Sequence, residues 1–200
     1  MKHEFGFFKK NQLFNKLAAA AILLCSMTAM GQDNNTDFHT VTIKIPEVAL
    51  LDLESASAKN FNLAPTAPTE AGDPLDFSKA TDSRLWLNYS SIIGSTTEAE
   101  RKVTVQVTNG DIPGGVELKV KAAAATATGA GTYGTPAASA VSITTAAADI
   151  ITGVKSVYTG HGVSKGHNLT YSLELASGGY ADLDFDDSQT VTVTYTLSDN

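Results

Sequence analysis

Strict alternation of apolar and polar residues is the feature that most constrains this chain. Val103, Val105 and Val107 alternate with Lys102, Thr104 and Gln106, and Val116, Leu118 and Val120 with Glu117, Lys119 and Lys121. Leu169, Tyr171, Leu173 and Leu175 alternate with Thr170, Ser172 and Glu174; Val191, Val193, Tyr195 and Leu197 alternate with Thr192, Thr194 and Thr196. Successive side chains of a strand point to opposite faces, so each run predicts a strand with one buried and one wet face. Val41, Ile43 and Ile45 repeat the pattern around Thr42 and Lys44 until Pro46 ends the ladder. The run Val48 to Leu53 follows, and Leu85, Leu87 and Tyr89 mark a further strand around Trp86. No stretch carries a sustained apolar stripe of helical period; the closest, 96–101, is long enough for one helical turn.

Turn signals separate these runs: Ala71-Gly72-Asp73-Pro74, Asn109-Gly110, Pro113-Gly114-Gly115 and Ser177-Gly178-Gly179. The segments 101–108 and 115–121 read as a hairpin joined by Asn109 to Gly114. Seven or more short strands with Gly- and Pro-rich connections predict an all-β chain, an antiparallel immunoglobulin-like β-sandwich with Greek-key links. Residues 122–148 are dominated by Ala, Thr, Gly and Ser, and Gly129, Gly131, Gly134 and Pro136 interrupt any helix that the alanines favour. They read as a surface excursion, or as edge strands with small side chains. The alternative, a linker between two domains, leaves too few strands on either side for a closed sandwich.

The first 31 residues predict an export signal. Lys2, Lys9, Lys10 and Lys16 form a positive region, and Leu17 to Cys25 is an apolar core of nine residues. A membrane-spanning helix needs roughly 20 apolar residues, so this core is too short. Ala29 and Gly31 stand three and one residues before the bond to Gln32, where signal cleavage is expected. Leu24 before Cys25 does not suit lipidation. Cleavage leaves residues 32–200 as a single domain with 10 basic and 20 acidic side chains, a net charge of −10. An acidic chain offers no basic footprint for nucleic acid or anionic lipid. With Cys25 as the only cysteine, a disulfide framework, a thiolate zinc cluster and an iron–sulfur site are excluded.

Four groups of residues invite a chemical reading. Gly162-Val163-Ser164-Lys165-Gly166 matches the nucleophile-elbow pattern, but no helix pattern follows it and no acid-then-histidine order comes after Ser164. The segment reads as a Gly-rich turn, with His161 and His167 as solvated loop histidines, and His39 lies far off in the chain. Asp182, Asp184 and Asp186, spaced by two, put three carboxylates on one strand face, which suits a weak surface calcium site or a charged edge that discourages aggregation. Trp86 reads as a core residue, as in immunoglobulin domains; exposed with Tyr89 on one concave face, it would instead stack on sugar. Asn88-Tyr89-Ser90 and Asn168-Leu169-Thr170 match glycosylation acceptors. No catalytic residue and no cofactor site is assigned, so the chain reads as a non-enzyme.

Gly179-Tyr180-Ala181-Asp182, followed by Thr190-Val191-Thr192-Val193-Thr194-Tyr195, resembles the C-terminal strand of spore-coat-U-type and fimbrial subunits, which are exported, pilin-like immunoglobulin folds. A wider set of segments is similar to secreted β-sandwich proteins of Gram-negative bacteria that carry no assigned activity. It comprises Ile45 to Leu53, Pro65 to Gly72, Trp86 to Ser91, Gly166 to Tyr171 and Tyr195 to Asn200. Together these imply an exported structural or adhesive protein of a bacterial surface, its surroundings or its periplasm. Self-association or cell-surface components are the expected partners, and no transmembrane span is expected in the mature chain. The alternative is a secreted carbohydrate- or calcium-binding module. Val41, Ile43 and Ile45 then serve either as strand A of the chain's own sandwich or as a strand donated to a neighbour. Own-strand pairing is the simpler expectation, because no flexible linker separates Ile45 from Val48.

Overall fold

The computed structural model describes residues 36–200 except Ala127. The nine strands of the described residues lie in the unit Ile45–Asn200; the described part of the other unit, Met1–Lys44, carries none. In chain order they are β1 (Val48–Ser55), β2 (Thr81–Ile92), β3 (Arg101–Asn109), β4 (Val116–Ala122), β5 (Ala130–Pro136), β6 (Val141–Ser142), β7 (Ala148–Tyr158), β8 (His167–Leu175) and β9 (Thr192–Asp199). Every ladder is antiparallel. The only helical element among the described residues is one 3-10 turn, Gly179–Asp182. No described helix is long and apolar enough to cross a membrane.

Two groups of strands emerge from the pairing. One runs β1-β2-β8-β4-β6 and the other β5-β7-β3-β9, and they join where Ser90 and Ser91 of β2 pair with Tyr158 and Val157 of β7. Both groups turn apolar faces into a single cluster. Leu85, Leu87 and Tyr89 come from β2, Val103, Val105 and Val107 from β3, Val120 from β4, Val154 from β7, Leu169 and Tyr171 from β8. Strands β3, β4 and β8 keep the period of two that their sequences predict, with the polar residues between the apolar ones facing out; in β2 Leu85, Leu87 and Tyr89 keep it too, but Asn88 between them is buried. Strands from before and after 122–148 belong to the same ladders, which overturns the two-domain linker alternative. That segment instead supplies β5, paired with β7, and β6, paired with β4, both at edges.

Two further expectations are corrected. The segments 101–108 and 115–121 are strands but not a hairpin: β3 pairs with β7 and β9, whereas β4 pairs with β6 and β8. The six-residue connection is long enough to cross from one group to the other, and Gly115 at φ 78 packs so closely on Gly179 that a Cβ would sit 2.4 Å from its carbonyl oxygen. Residues 36–47 form no strand, so Val41, Ile43 and Ile45 are not a strand A of the chain's own sheet. They are 68, 84 and 75 % exposed and bury too little surface to hold a ladder. The expected cleavage between Gly31 and Gln32, the apolar core 17–25 and Cys25 lie outside the described residues.

Candidate functional site

Arg101 opens β3 in phase with Val103, Val105 and Val107, which points a guanidinium toward the core. Burial of that charge is offset by carboxylates on three sides. Nη2 reaches Glu47 at 2.5 Å and Glu98 at 2.8 Å, and Nε reaches Asp199 at 2.9 Å. Nη1 donates to the carbonyls of Val48 at 2.6 Å and Ile92 at 3.2 Å, and to Ser91 Oγ at 3.3 Å. Desolvation works against the cation, but Asp199, Glu98 and Glu47 outweigh it and raise its affinity for the proton above the ordinary value. The side chain thereby ties the start of β1, the end of β2 and the end of β9 together.

Beside this tie the four-stranded patch β1-β2-β7-β5 has a row of opposed residues, Leu50, Ser90, Tyr158 and Ala130. Opposed residues share a face, and Leu50 and Tyr158 on it are exposed. An open groove of about 350 Å³ runs here, lined chiefly by Val48, Ser90, Ile92, Gly131, Val157 and Tyr158. It presents apolar surface above a floor of small side chains.

The glycine-rich motif lies in the turn that carries the chain from β7 to β8. Ser164 is exposed, with φ 61, and its carbonyl accepts from Thr126 Oγ1 at 3.2 Å. Gly166 has φ 59, and a Cβ there would lie 2.1 Å from the Leu87 carbonyl oxygen. His161 is exposed in the same turn, as is His39 in the N-terminal segment. His167 corrects the expectation of a loop histidine: it is the first residue of β8 and fully buried. Its Nδ1 lies 2.8 Å from the Ala123 carbonyl and its Nε2 2.7 Å from the Tyr89 hydroxyl.

Asp182, Asp184 and Asp186 are not on a strand. Asp182 closes the 3-10 turn and Asp186 lies in the next turn, with its backbone N–H donating to the Asp184 carboxylate at 3.0 Å. The neighbouring Asp187 carboxylate accepts from Gln189 at 2.6 Å, and Phe185 at the tip of this loop is exposed. Apolar Leu183 and Phe185 mimic a strand period that glycine-led turns override. Among the described residues no three His, Cys, Asp or Glu side chains are grouped to hold a metal ion.

Trp86 and Tyr89 do not share a face. Three residues apart on one strand, they point oppositely: Tyr89 is buried in the core, and Trp86 is half-buried in the row between Glu54 and Asn168. The expected core tryptophan is thus an outer-face residue, because Leu85 and Leu87 set the buried phase. Neither glycosylation acceptor offers a free amide. Asn88 is buried and donates to the Gly162 carbonyl at 2.8 Å, and Asn168 donates to Ser83 and Leu85 carbonyls at 2.8 and 3.1 Å. Sequence reasoning missed Arg101 and the Tyr89–His167 pair. Arg101 was detectable from its place in the buried phase of β3. In comparisons with known proteins, no family model, no curated protein and no solved structure matches the chain.

Proposed function

We propose that this chain is an exported, non-enzymatic structural or adhesive protein of a bacterial surface or its surroundings, a pilin-like subunit that self-associates through residues 38–45. The observation that carries the reading is the exposed alternation of Val41, Ile43 and Ile45, preceded by exposed Phe38, in a segment that forms no strand. A period of two with β-branched residues has the side-chain pattern of a strand, and such a segment is suited to a ladder supplied by a neighbouring molecule. Edge strands and the exposed Leu50–Tyr158 row offer apolar surface where copies can meet. The export signal ending at Gly31 fits this location. The two strand groups over one core support an immunoglobulin-like sandwich as its architecture.

The test compares the chain with a variant carrying Val41→Ser, Ile43→Ser and Ile45→Ser. The expected outcome is unchanged thermal unfolding with loss of higher-order assembly in sedimentation velocity and loss of surface attachment in the native host. A fall of several degrees in the melting temperature would return the segment to the chain's own fold. Assembly that survives the three substitutions would remove the proposed contact.

A further inference from the structure

Two side chains of the sheet meet the low-complexity segment, beside the β5–β7 ladder and the backbone bonds from Ala123 to Asn168 and from Thr126 to Gly166. Ala123 leads out of β4 into that segment and Tyr133 lies within β5. The imidazole of His167 meets the Ala123 carbonyl at 2.8 Å and the Tyr89 hydroxyl at 2.7 Å, and that hydroxyl donates to the Tyr133 carbonyl. The two rings stack with centroids 5.6 Å apart and planes at 21°. One imidazole–phenol pair therefore anchors the segment at its entry and at its strand.

Three contacts meet there, but a neutral imidazole and one phenol supply only two protons. Nδ1–H serves Ala123 and the phenol serves Tyr133, which leaves the Nε2 contact without a proton of its own. A third proton would complete the chain, yet it would place a cation where no carboxylate of the described residues touches the ring. The groups facing His167 are Tyr89 from β2, Tyr133 from β5 and the Ala123 carbonyl after β4; Lys165, two residues before it, lays its stem beside Gly160. Desolvation holds the imidazole below its ordinary value, against the opposing pull of the Ala123 and Tyr133 carbonyls.

We infer that His167 is an acid-sensitive latch: protonation drives its ring out of the site and frees residues 123–136 from the sheet. A histidine whose folded-state value is depressed contributes fully above its unfolded value near pH 6.5 and loses that contribution as pH falls through the folded value. The segment is the natural place to open. β5 pairs only with β7, its register shifts between Gly131 and Tyr133, and most of its residues are exposed or half-exposed. Opening uncovers the edge of β7 from Ile151 to Tyr158.

Amide hydrogen exchange, corrected for intrinsic rates, tests the latch between about pH 7.5 and about pH 5, the range a histidine switch spans. Peptides covering 128–136 should lose protection by about tenfold at the lower pH, under a ceiling of about thirtyfold set by the roughly 1.5 pH units between 6.5 and 5, while peptides from β3 keep theirs. His167→Gln, which hydrogen-bonds without titrating, should abolish the difference. Should that variant fail to fold, NMR titration of the His167 ring in the unaltered chain decides: a value below 6.5 supports the latch. Equal protection at both pH values, loss spread over β3 as well, loss that persists in His167→Gln, or an ordinary or raised ring value would overturn it.

Discussion

Replacing Arg101 by Met tests whether the charged tie at the head of β3 stabilises the fold. The guanidinium is 1 % exposed, so its removal breaks the contacts to three carboxylates and two carbonyls described above. Removing one member of a buried ion pair costs about 3–5 kcal/mol, and a hydrogen bond to a charged group contributes about 1.5–3 kcal/mol. The low end applies here, because the Glu47 and Asp199 side chains are 63 and 55 % exposed and return to water at little cost. The loss then falls chiefly on Glu98 and on the Val48 and Ile92 carbonyls, and amounts to about 3 kcal/mol. For a domain of this size that corresponds to a fall of about 6–12 °C in melting temperature. Arg101→Lys keeps the charge but not the fork, and should fall roughly midway. Urea unfolding followed by Trp86 fluorescence, together with calorimetry, measures both variants. The opposite outcome is physically reasonable, since well-packed apolar residues often replace buried ions without loss. A Met variant within about 1 kcal/mol of the parent would refute the assignment of Arg101 as a stabilising tie.

Gly166→Ala should destabilise by about 3 kcal/mol or more, since its Cβ would press on the backbone of β2, whereas Gly72→Ala, with open space around it, should cost only the left-handed strain of about 1 kcal/mol; denaturant midpoints compare them. Tyr195→Phe should cost about 1–2 kcal/mol by orphaning the Tyr171 hydroxyl 2.6 Å away, and the Tyr171→Phe/Tyr195→Phe double variant should cost less than the sum of the singles in a double-mutant cycle. Asp82 is opposed by desolvation but held below the usual carboxylate range by the backbone and guanidinium of Arg84. Its stabilising contribution is therefore present above about pH 4 and lost as pH falls through its folded value, so Asp82→Asn should flatten the acid limb of a stability–pH profile.

Strands β3, β4, β8 and β9 were legible because their apolar residues fall in one phase against the core, and the period of two records that phase. β7 was not. Its buried residues Ile150, Ile151, Val154 and Val157 break the alternation, because Gly153 at φ 71 and register shifts against β3 re-aim the side chains. Partners were less legible than strands. The six-residue connection between β3 and β4 permits either a return or a crossing, and only the match of β4 to β8 along Val116–Ala122 decides it. The turn at 182–187 shows the converse error, a two-residue spacing of aspartates with no ladder beneath it.

The same limit bears on the N-terminal segment and on the buried polar groups. Alternation at Val41, Ile43 and Ile45 is indistinguishable in sequence from that at Val103, Val105 and Val107, yet one is exposed and the other lies in the core. A pattern states which surface a segment is suited to cover; it does not state that the same molecule provides it. Arg101 and His167 illustrate the complement. Each occupies a position in the buried phase of its strand, where an apolar residue would be expected. Their partners lie in other elements: Glu47 and Asp199 for Arg101, Tyr89 and Ala123 for His167. A polar residue in the apolar phase of a strand thus signals a tie whose far end only the topology supplies. In this chain the two such ties fall at the head of β1 and beside β5, each a strand that pairs with a single neighbour.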